Sequence, residues 1–393
     1  MRNGIPVIDI DRHVMEPMSL WPEYLPAEYR KFSPDVRSLA PPGESLDERL
    51  ARLGTHALFP TPPMVTVQGK PLLRGLSEQG HMEVELHTTQ RHAELAAAET
   101  AAGHLAAMDA AEIALALLLP TFAGFLVYDD EIDADRSRAY ASAYNRWLAD
   151  LRQKDPVRLQ GAALLSRHAP EHLVADLEAA LRSGLGAAVM RPNPVRGLTL
   201  GAAALDPFYS ACEANDIPLV LHEGTHTRVE TAGASRFGSH FAQHACSHPM
   251  EAMMAFLALL EGGVLERHPR LRVAFLEAGC GWLPYWLWRL DEMEYAQVSN
   301  ELGGRISQRP SQYFRRQCWI AFEPGEALLA PSIEAIGVDR VVFGTDFPHV
   351  DHDREILAKL FAQDGPLPAH VLRAALWENP ARLLGRHITR HLE

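Results

Sequence analysis

The sequence predicts a (β/α)8 barrel, because short apolar runs alternate with longer amphipathic stretches along most of its 393 residues. Eight runs read as strands, and several are continuously hydrophobic, as expected of parallel strands covered on both faces. The structural rival is a doubly wound open sheet, which needs a glycine-rich phosphate loop after its first strand. The sequence has no such loop at that place, which favours the barrel.

The predicted elements follow in chain order. The strands are Pro6–Asp11, Ala114–Leu119, Gln160–Leu165, Ala187–Arg191, Pro218–His222, Arg272–Glu277, Cys318–Glu323 and Arg340–Asp346. The clearest helical patterns cover Asp130–Arg152, Pro170–Arg182, Ala203–Asn215, Pro249–Arg267, Leu283–Val298 and Pro368–Leu384. Residues 1–393 are therefore expected to form one domain. The exception to the alternation is segment 17–86, which is proline-rich and weakly periodic. We predict that it is an insertion after strand 1 that caps the barrel mouth, with a surface excursion of no role as the alternative.

Composition argues against several partners and compartments. The net charge is −13 with histidine neutral, and no basic stripe for nucleic acid is visible. The longest apolar run, residues 113–127, is too short to span a bilayer comfortably, so no membrane partner is expected. No apolar signal region opens the sequence, and we expect a cytoplasmic protein. The cysteines form no C-x-x-C pair and are expected to be reduced core residues, at Cys212, Cys246, Cys280 and Cys318.

Metal-capable side chains stand at the ends of four predicted strands. Strand 1 closes on Asp11 and His13, which alternate along the chain and so point to one face. Strand 5 ends at His222, strand 6 at Glu277 and strand 8 at Asp346. All strands of a barrel end at the same rim, where barrel enzymes place their chemistry. Because buried carboxylates and imidazoles need a metal or a paired proton, the sequence predicts a metalloenzyme.

Three further candidates lie just past strand ends: Glu16, His248 and His349. Each is a predicted ligand, with a helix cap or a hydrogen-bond partner of a ligand as the alternative. The predicted metal set is therefore Asp11, His13, Glu16, His222, His248, Glu277, Asp346 and His349, of which Glu277, Asp346 and His349 are also predicted to be catalytic. The residues expected behind these ligands or at the surface are Asp9, Glu223, His226, His244 and Asp351. One catalytic zinc takes about three protein ligands, so this supply suits two ions, or one ion with many supporting groups.

These motifs resemble the amidohydrolase-type barrels. Asp11-Arg12-His13 resembles the metal-ligand motif that opens such barrels, and His222 and Asp346 match the histidine of strand 5 and the aspartate of strand 8. The sequence departs from the family in three ways. No lysine ends a predicted strand, Glu277 stands where related decarboxylases carry a catalytic histidine, and His248 and Glu16 add ligands that one-metal members lack. This combination is similar to a branch of TIM-barrel non-haem diiron monooxygenases with a member in platensimycin and platencin diterpenoid biosynthesis.

The resemblance implies two Fe ions, with O2 as co-substrate. It implies one iron on Asp11, His13, His222 and Asp346, and a second on Glu16, His248 and Glu277, with His349 as a further ligand candidate. The implied reaction hydroxylates an unactivated carbon of a lipophilic, CoA-linked acid, with an unidentified electron donor. The alternative is an amidohydrolase-superfamily hydrolase or non-oxidative decarboxylase, with Zn or Mn as the metal.

For the side chains that could contact a substrate, the sequence leaves two roles open. Four aromatic residues are expected either to line an apolar substrate pocket or to pack in the core: Trp282, Trp286, Trp288 and Phe322. Arg191 is expected either to bind a phosphate or carboxylate, or to pair with a buried ligand carboxylate. The expected partner is a small molecule, and a CoA thioester and a homo-oligomer are left open.

Overall fold

The computed structural model describes residues 3–37, 43–53, 64–77, 80, 82, 91–349, 353–362 and 364–389. Asp351 and parts of the predicted insertion lie outside these ranges. The strands of the described part are β1 (Val7–His13), β2 (Asp35–Arg37), β3 (Met64–Val67), β4 (Lys70–Pro71), β5 (Ile113–Leu119), β6 (Leu159–Leu164), β7 (Ala187–Met190), β8 (Leu219–Leu221), β9 (Val273–Phe275), β10 (Cys318–Ala321) and β11 (Val341–Val342).

Eight parallel strands form a nearly closed barrel in the order β1-β5-β6-β7-β8-β9-β10-β11, which confirms the predicted fold class. The two edges meet where Ile10 donates its backbone N–H to the carbonyl of Phe343 at 3.1 Å. Asp346 also donates its N–H to the carbonyl of Asp11 at 2.8 Å. Apart from the polar residues of β1, the barrel strands are mainly apolar, and they are almost entirely buried, so the hydrophobic core surrounds and fills the barrel.

Helices separate the barrel strands, as predicted. The α-helices are Leu20–Tyr24, Leu46–Leu53, His92–Ala97, Ala101–Ala111, Phe122–Val127, Ala134–Arg152, Leu173–Arg182, Asp206–Ala214, His240–Glu261, Val264–Arg267, Leu283–Trp288, Ala296–Val298, Pro310–Gln317, Leu329–Ile336, Ile356–Leu360, Ala369–Arg373, Asn379–Leu384 and Arg386–Thr389. Short 3₁₀ turns cover Ala27–Phe32, Pro170–His172, Ala203–Leu205, Ser299–Leu302 and Val338–Arg340, and π turns cover Arg289–Tyr295 and Ala374–Glu378. No helix within the described ranges combines the length and apolar character needed to cross a bilayer.

The long helix after β8 begins earlier than predicted. The sequence places its start at Pro249, but the helix runs from His240 to Glu261 and carries Pro249 inside it. The side chain of Ser239 accepts a hydrogen bond from the Ala242 N–H and so caps the true start. His248 therefore lies well inside the helix, rather than at its first turn.

The segment after β1 contains regular structure. Its described part holds the antiparallel sheet β2-β3-β4 and the helices Leu20–Tyr24 and Leu46–Leu53. The strands are too short to leave a periodic pattern in the sequence. Near its end, Arg74 donates its backbone N–H to the carbonyl of His226 at 2.7 Å, which ties the segment to the loop after β8. The capping role of this segment stays a prediction.

Candidate metal centre

Four of the predicted side chains meet at the rim of the barrel and form a cluster: Asp11, His13, His222 and Asp346. One ligand atom from each lies within 4.8 Å of the others. Nε2 of His13 is 3.0 Å from Nε2 of His222, 3.2 Å from Oδ1 of Asp11 and 3.4 Å from Oδ1 of Asp346. The cluster joins the end of β1 to the residues that follow β8 and β11, so the barrel brings together residues from opposite ends of the chain.

Both histidines of the cluster are oriented by backbone carbonyls. Nδ1 of His13 lies 2.8 Å from the Pro120 carbonyl, and Nδ1 of His222 lies 2.8 Å from the Glu223 carbonyl. A carbonyl only accepts, so Nδ1 of each ring carries a proton, and a lone pair remains at Nε2 when that ring is neutral. Two lone pairs only 3.0 Å apart, beside two carboxylates, need a cation between them. Mixed nitrogen and oxygen donors of this kind fit a divalent ion such as manganese, zinc or iron.

The electrostatics of the cluster also favour a cation. Burial lowers the pKa of His222, but the charges of Asp11 and Glu277 outweigh it and raise that pKa to about 10. Burial raises the pKa of Asp11, but His222 and His13 outweigh it and lower that pKa to about 2. The cluster therefore binds positive charge strongly, whether as protons or as a metal ion. Because a metal must displace the protons, metal affinity is expected to rise with pH.

A second metal-capable group shares Asp346 with the cluster and adds Glu277 and His349. Nδ1 of His349 lies 2.8 Å from Oδ1 of Asp346, and its Nε2 lies 3.0 Å from the Thr121 hydroxyl. Oε2 of Glu277 lies 3.0 Å from Nε2 of His222 and 3.5 Å from Nε2 of His248. The structure thus brings together seven of the eight predicted ligands, and whether each one binds metal stays a prediction.

Glu16 is the predicted ligand that the structure directs elsewhere. Its carboxylate accepts hydrogen bonds from the N–H groups of Thr121 at 3.0 Å, Phe122 at 2.9 Å and Ala123 at 3.0 Å. These groups open the helix Phe122–Val127, so Glu16 caps that helix and belongs to neither metal-capable group. The placement of Glu16 in a second iron site therefore disagrees with the structure. Burial raises the pKa of Glu16 to about 7, against the lowering effect of its backbone hydrogen bonds.

Two of the acidic site residues lie on left-handed backbone, with φ of +47° at Glu277 and +52° at Asp346. The sequence predicts that strands run through both residues, but β9 ends at Phe275 and β11 ends at Val342. Just before Asp346, the chain also passes very close to β1: a Cβ placed on Gly344 would fall 2.2 Å from the Cβ of Asp11. The chain therefore leaves extended geometry before it reaches either carboxylate, and strained backbone of this kind occurs at functional sites.

Asp9 and Glu223 lie behind the cluster. Asp9 accepts hydrogen bonds from the backbone N–H of Thr345 at 2.9 Å and from its hydroxyl at 2.6 Å, so it holds β1 against the segment after β11. Glu223 is buried, and its Oε1 lies 3.8 Å from Nη1 of Arg191. Two other histidines contact each other along the same rim, with Nε2 of His226 2.8 Å from Nδ1 of His240.

An apolar cavity of about 420 Å³ opens onto the cluster. Its apolar lining includes Met15, Leu73, Leu76, Phe122 and Phe125, and His13, His222, Glu277 and His349 also face it. The tryptophans of the sequence prediction lie elsewhere: Trp282 and Trp286 pack against the core and Trp288 is half exposed, while Phe322 lines a neighbouring cavity. The sequence gives no signal for Phe122 and Phe125, because they lie in a helix within a run that reads as strand and loop.

The sequence profile of the family described as amidohydrolase matches residues 8–386. The chain belongs to the amidohydrolase family. The family resemblance stated from the motifs is therefore confirmed, and so is an amidohydrolase-like barrel.

Curated relatives of this amidohydrolase are decarboxylases. Gamma-resorcylate decarboxylase of Polaromonas is 26% identical over 234 residues, which cover 56% of this chain and 70% of the relative. 2-Amino-3-carboxymuconate-6-semialdehyde decarboxylase of Dictyostelium discoideum is 24% identical over 210 residues, which cover 53% of this chain and 56% of the relative. The matched region thus spans 70% of the first relative and 56% of the second.

Solved structures share the fold over nearly the whole chain. An amidohydrolase of Mycobacterium avium subsp. paratuberculosis superposes with a TM-score of 0.74 at 20% identity, covering 97% of this chain and 100% of the other. 5-Carboxyvanillate decarboxylase of Novosphingobium aromaticivorans, solved with manganese and 3-methoxy-4-hydroxy-5-nitrobenzoic acid, gives a TM-score of 0.67 at 20% identity, covering 98% of each chain. At this identity, the similarity shows the fold alone.

The prediction of a diiron monooxygenase is wrong, because the curated relatives are decarboxylases. The oxidoreductase chemistry, the O2 co-substrate and the role in antibiotic biosynthesis are withdrawn with it, and the relatives give no support to a CoA thioester or an electron donor. The resemblance depended on Glu16, His248 and Glu277 as a second set of ligands, and Glu16 is directed elsewhere. The alternative, a hydrolase or non-oxidative decarboxylase, agrees with the relatives, and the number of metal ions stays a prediction.

Proposed function

We propose that this amidohydrolase is a metal-dependent, non-oxidative decarboxylase of a small aromatic carboxylic acid. The observation that carries the proposal is the cluster of Asp11, His13, His222 and Asp346, whose two histidines line an apolar cavity. Phe122 and Phe125 in the cavity lining suit an aromatic ring, and the cluster suits the carboxylate. Decarboxylase relatives, one of them solved with manganese and a nitrobenzoic acid, support the same assignment.

We infer that one divalent ion, in the first instance manganese, is held by Asp11, His13, His222 and Asp346. Such an ion supplies positive charge that binds and polarises the acidic groups of the substrate. The carbonyl groups of Pro120 and Glu223 fix the two imidazole rings in the orientation that this role needs.

The chain's own residues supply the proton. Decarboxylation breaks the bond between the ring carbon and the carboxylate, releases CO2, and forms a carbon–hydrogen bond with the electron pair left behind. His349, whose Nδ1 lies 2.8 Å from Oδ1 of Asp346, is assigned to deliver the proton that this carbon accepts, and Asp346 orients its ring. Glu277 lies between His222 and His248 and is assigned to position both rings. The apolar lining limits water at the reacting carbon.

One observation favours a second candidate, a metal-dependent hydrolase. The Glu277 carboxylate lies within 3.5 Å of both His222 and His248 and faces the cavity. In that position, a carboxylate can take a proton from an attacking water. The hydrolase predicts cleavage of an aryl ester or amide, whereas the decarboxylase predicts release of CO2.

The test is a CO2-release assay under argon on manganese-loaded protein, with gamma-resorcylate and 5-carboxyvanillate as substrates. The proposal expects manganese-dependent CO2 release that falls by at least ~100-fold in Asp346→Asn and in His349→Gln. The exposed Asp135→Asn substitution serves as the control and is expected to retain the wild-type rate. CO2 release unchanged in Asp346→Asn, or no release from any aromatic acid, would overturn the proposal. Hydrolysis of aryl esters without CO2 release would establish the second candidate instead.

A further inference from the structure

Arg191 stands beside the cluster on the neighbouring strand. It follows β7 directly, just as His222 follows β8. The two strands are parallel, with Met190 paired to Leu221, and the backbone N–H of His222 donates to the Met190 carbonyl at 3.1 Å. Arg191 and His222 therefore leave the rim side by side, and both side chains line the apolar cavity.

The guanidinium of Arg191 is fixed in place, but its hydrogen-bonding capacity is little used. Its Nη1 donates to the Gly224 carbonyl at 3.0 Å, and its Cζ lies 4.6 Å from the centre of the Phe125 ring. The side chain is almost fully buried, and its Nε has no hydrogen-bond partner among the described residues. A guanidinium carries five N–H donors, and one hydrogen bond to the described residues is made, so donors of this side chain remain unused.

The sequence leaves two roles open for Arg191, binding a ligand or pairing with a carboxylate that binds metal, and the contacts of Arg191 bear on this choice. Its nearest acidic atom is Oε1 of Glu223, at 3.8 Å from Nη1, which is too long for a hydrogen bond. Glu223 belongs to neither metal-capable group, so Arg191 is not the counter-ion of a predicted ligand. Gly224 provides the space, because a Cβ there would fall 2.7 Å from Nη1. Among the described residues that line the cavity, Arg191 is the one arginine or lysine.

We propose that Arg191 binds a second acidic group of the substrate, one that the reaction retains, and that the substrate is therefore an aromatic dicarboxylic acid. The inference rests on the proposed decarboxylase function. The departing carboxylate is assigned to the metal ion, so a guanidinium bound to the same group would further stabilise the charged ground state and lose its partner as neutral CO2 forms. Bound instead to a carboxylate that stays on the ring, it holds the reacting carbon over the cluster without opposing the reaction.

The experiment compares two ligands of nearly identical shape on manganese-loaded protein by isothermal titration calorimetry. Isophthalate carries two carboxylates, whereas 3-carbamoylbenzoate carries one carboxylate and a neutral amide, so both offer a carboxylate to the metal. Wild-type protein is expected to bind isophthalate at least ~10-fold more tightly. In Arg191→Met, the two affinities should become equal, and Arg191→Lys should retain part of the preference.

The exposed Arg236, which lines a different cleft, provides the control: Arg236→Met should keep the wild-type preference. Manganese content and melting temperature are measured for each variant, so that a loss of folding is recognised separately. A preference that persists in Arg191→Met, a wild type with no preference, or a wild type that binds neither ligand would overturn the inference. A preference that depends on Arg191 without any CO2 release would leave the role of Arg191 intact and refute the decarboxylase. CO2 release without such a preference would support the decarboxylase and refute the role of Arg191.

Discussion

Oε2 of Glu277 lies 3.0 Å from Nε2 of His222, so the carboxylate after β9 contacts a cluster histidine held by the neighbouring strand. The same oxygen reaches Nε2 of His248 at 3.5 Å, and Glu277 thereby links the cluster to the long helix after β8. Burial raises the pKa of Glu277, but the nearby His248 and His222 outweigh it, and the pKa lies well below its usual range. Glu277 is therefore an anion at neutral pH, and it supports the cluster by charge as well as by contact.

Glu277→Gln keeps the size of this side chain but removes its charge. We expect manganese affinity and turnover to fall by about 10- to 100-fold, because groups that orient metal ligands have effects of this size. Manganese titration and steady-state rates measure the change. Glu326→Gln is the matched control. Glu326 accepts a hydrogen bond from the N–H of Cys280, three residues after Glu277, but it belongs to neither metal-capable group. Equal manganese affinity in Glu277→Gln and wild type would contradict the positioning role.

Removal of the metal should destabilise the wild type but not a variant that lacks a ligand. A metal at 100 times its dissociation constant stabilises a protein by about 2.7 kcal/mol. Thermal unfolding with manganese and with a chelator should therefore show a large shift in wild type and little or none in Asp11→Asn. Asp135→Asn, an exposed substitution, should shift like wild type. If the shift in Asp11→Asn matched that of wild type, the ion would lie elsewhere.

Glu16 gives a pH dependence of stability with a defined sign. Its pKa of about 7 in the folded protein lies above the ordinary value of 4.5, so the folded state binds the proton more tightly than the unfolded state. The contribution of Glu16 is therefore fully present below pH 4.5 and is lost as the pH rises through about 7. A difference of this size corresponds to about 3 kcal/mol at most.

Urea unfolding of chelator-treated protein at pH 5 and pH 8 tests this dependence. Wild type should lose more stability than Glu16→Gln between the two pH values, since glutamine cannot titrate. Glu99→Gln, an exposed substitution, should follow wild type at both values. An equal loss in wild type and Glu16→Gln would show that the carboxyl group titrates normally.

Gly344→Ala should disturb the junction between β1 and the segment after β11. The added Cβ would fall 2.2 Å from the Cβ of Asp11, which forces a backbone shift. We expect a loss of about 1 to 3 kcal/mol in stability, together with weaker manganese binding. Gly325→Ala is the matched control, because nothing lies within 4 Å of its Cβ position. Melting temperature and manganese titration measure both effects, and similar values for the two variants would refute the steric argument.

The barrel and most of its rim could be predicted from the sequence, because both follow from repeated local patterns. Apolar runs such as β5 and β6 are almost wholly buried, and their parallel order places every strand end at one rim. For that reason alone, the sequence predicts that four of the candidate ligands lie close together: Asp11, His13, His222 and Asp346. The two acids on left-handed backbone still reach the site, although their strands end earlier than the apolar runs suggest.

Glu16 and the reaction could not be predicted in this way. Three residues after His13, Glu16 has the spacing of a ligand, but its partners are N–H groups of a helix more than a hundred residues away. No local pattern records that contact. The reaction could not be predicted either, because histidines and carboxylates bind iron, zinc and manganese alike. A resemblance that depended on a few ligand positions therefore gave the right family and the wrong chemistry.

The left-handed backbone at Glu277 and Asp346 sets stability against activity at these two positions. Glycine adopts such a conformation without steric cost, whereas a glutamate or aspartate adopts it at a cost. Glycine at either position should therefore relieve backbone strain but remove a carboxylate of the site, so a screen for product formation should eliminate it.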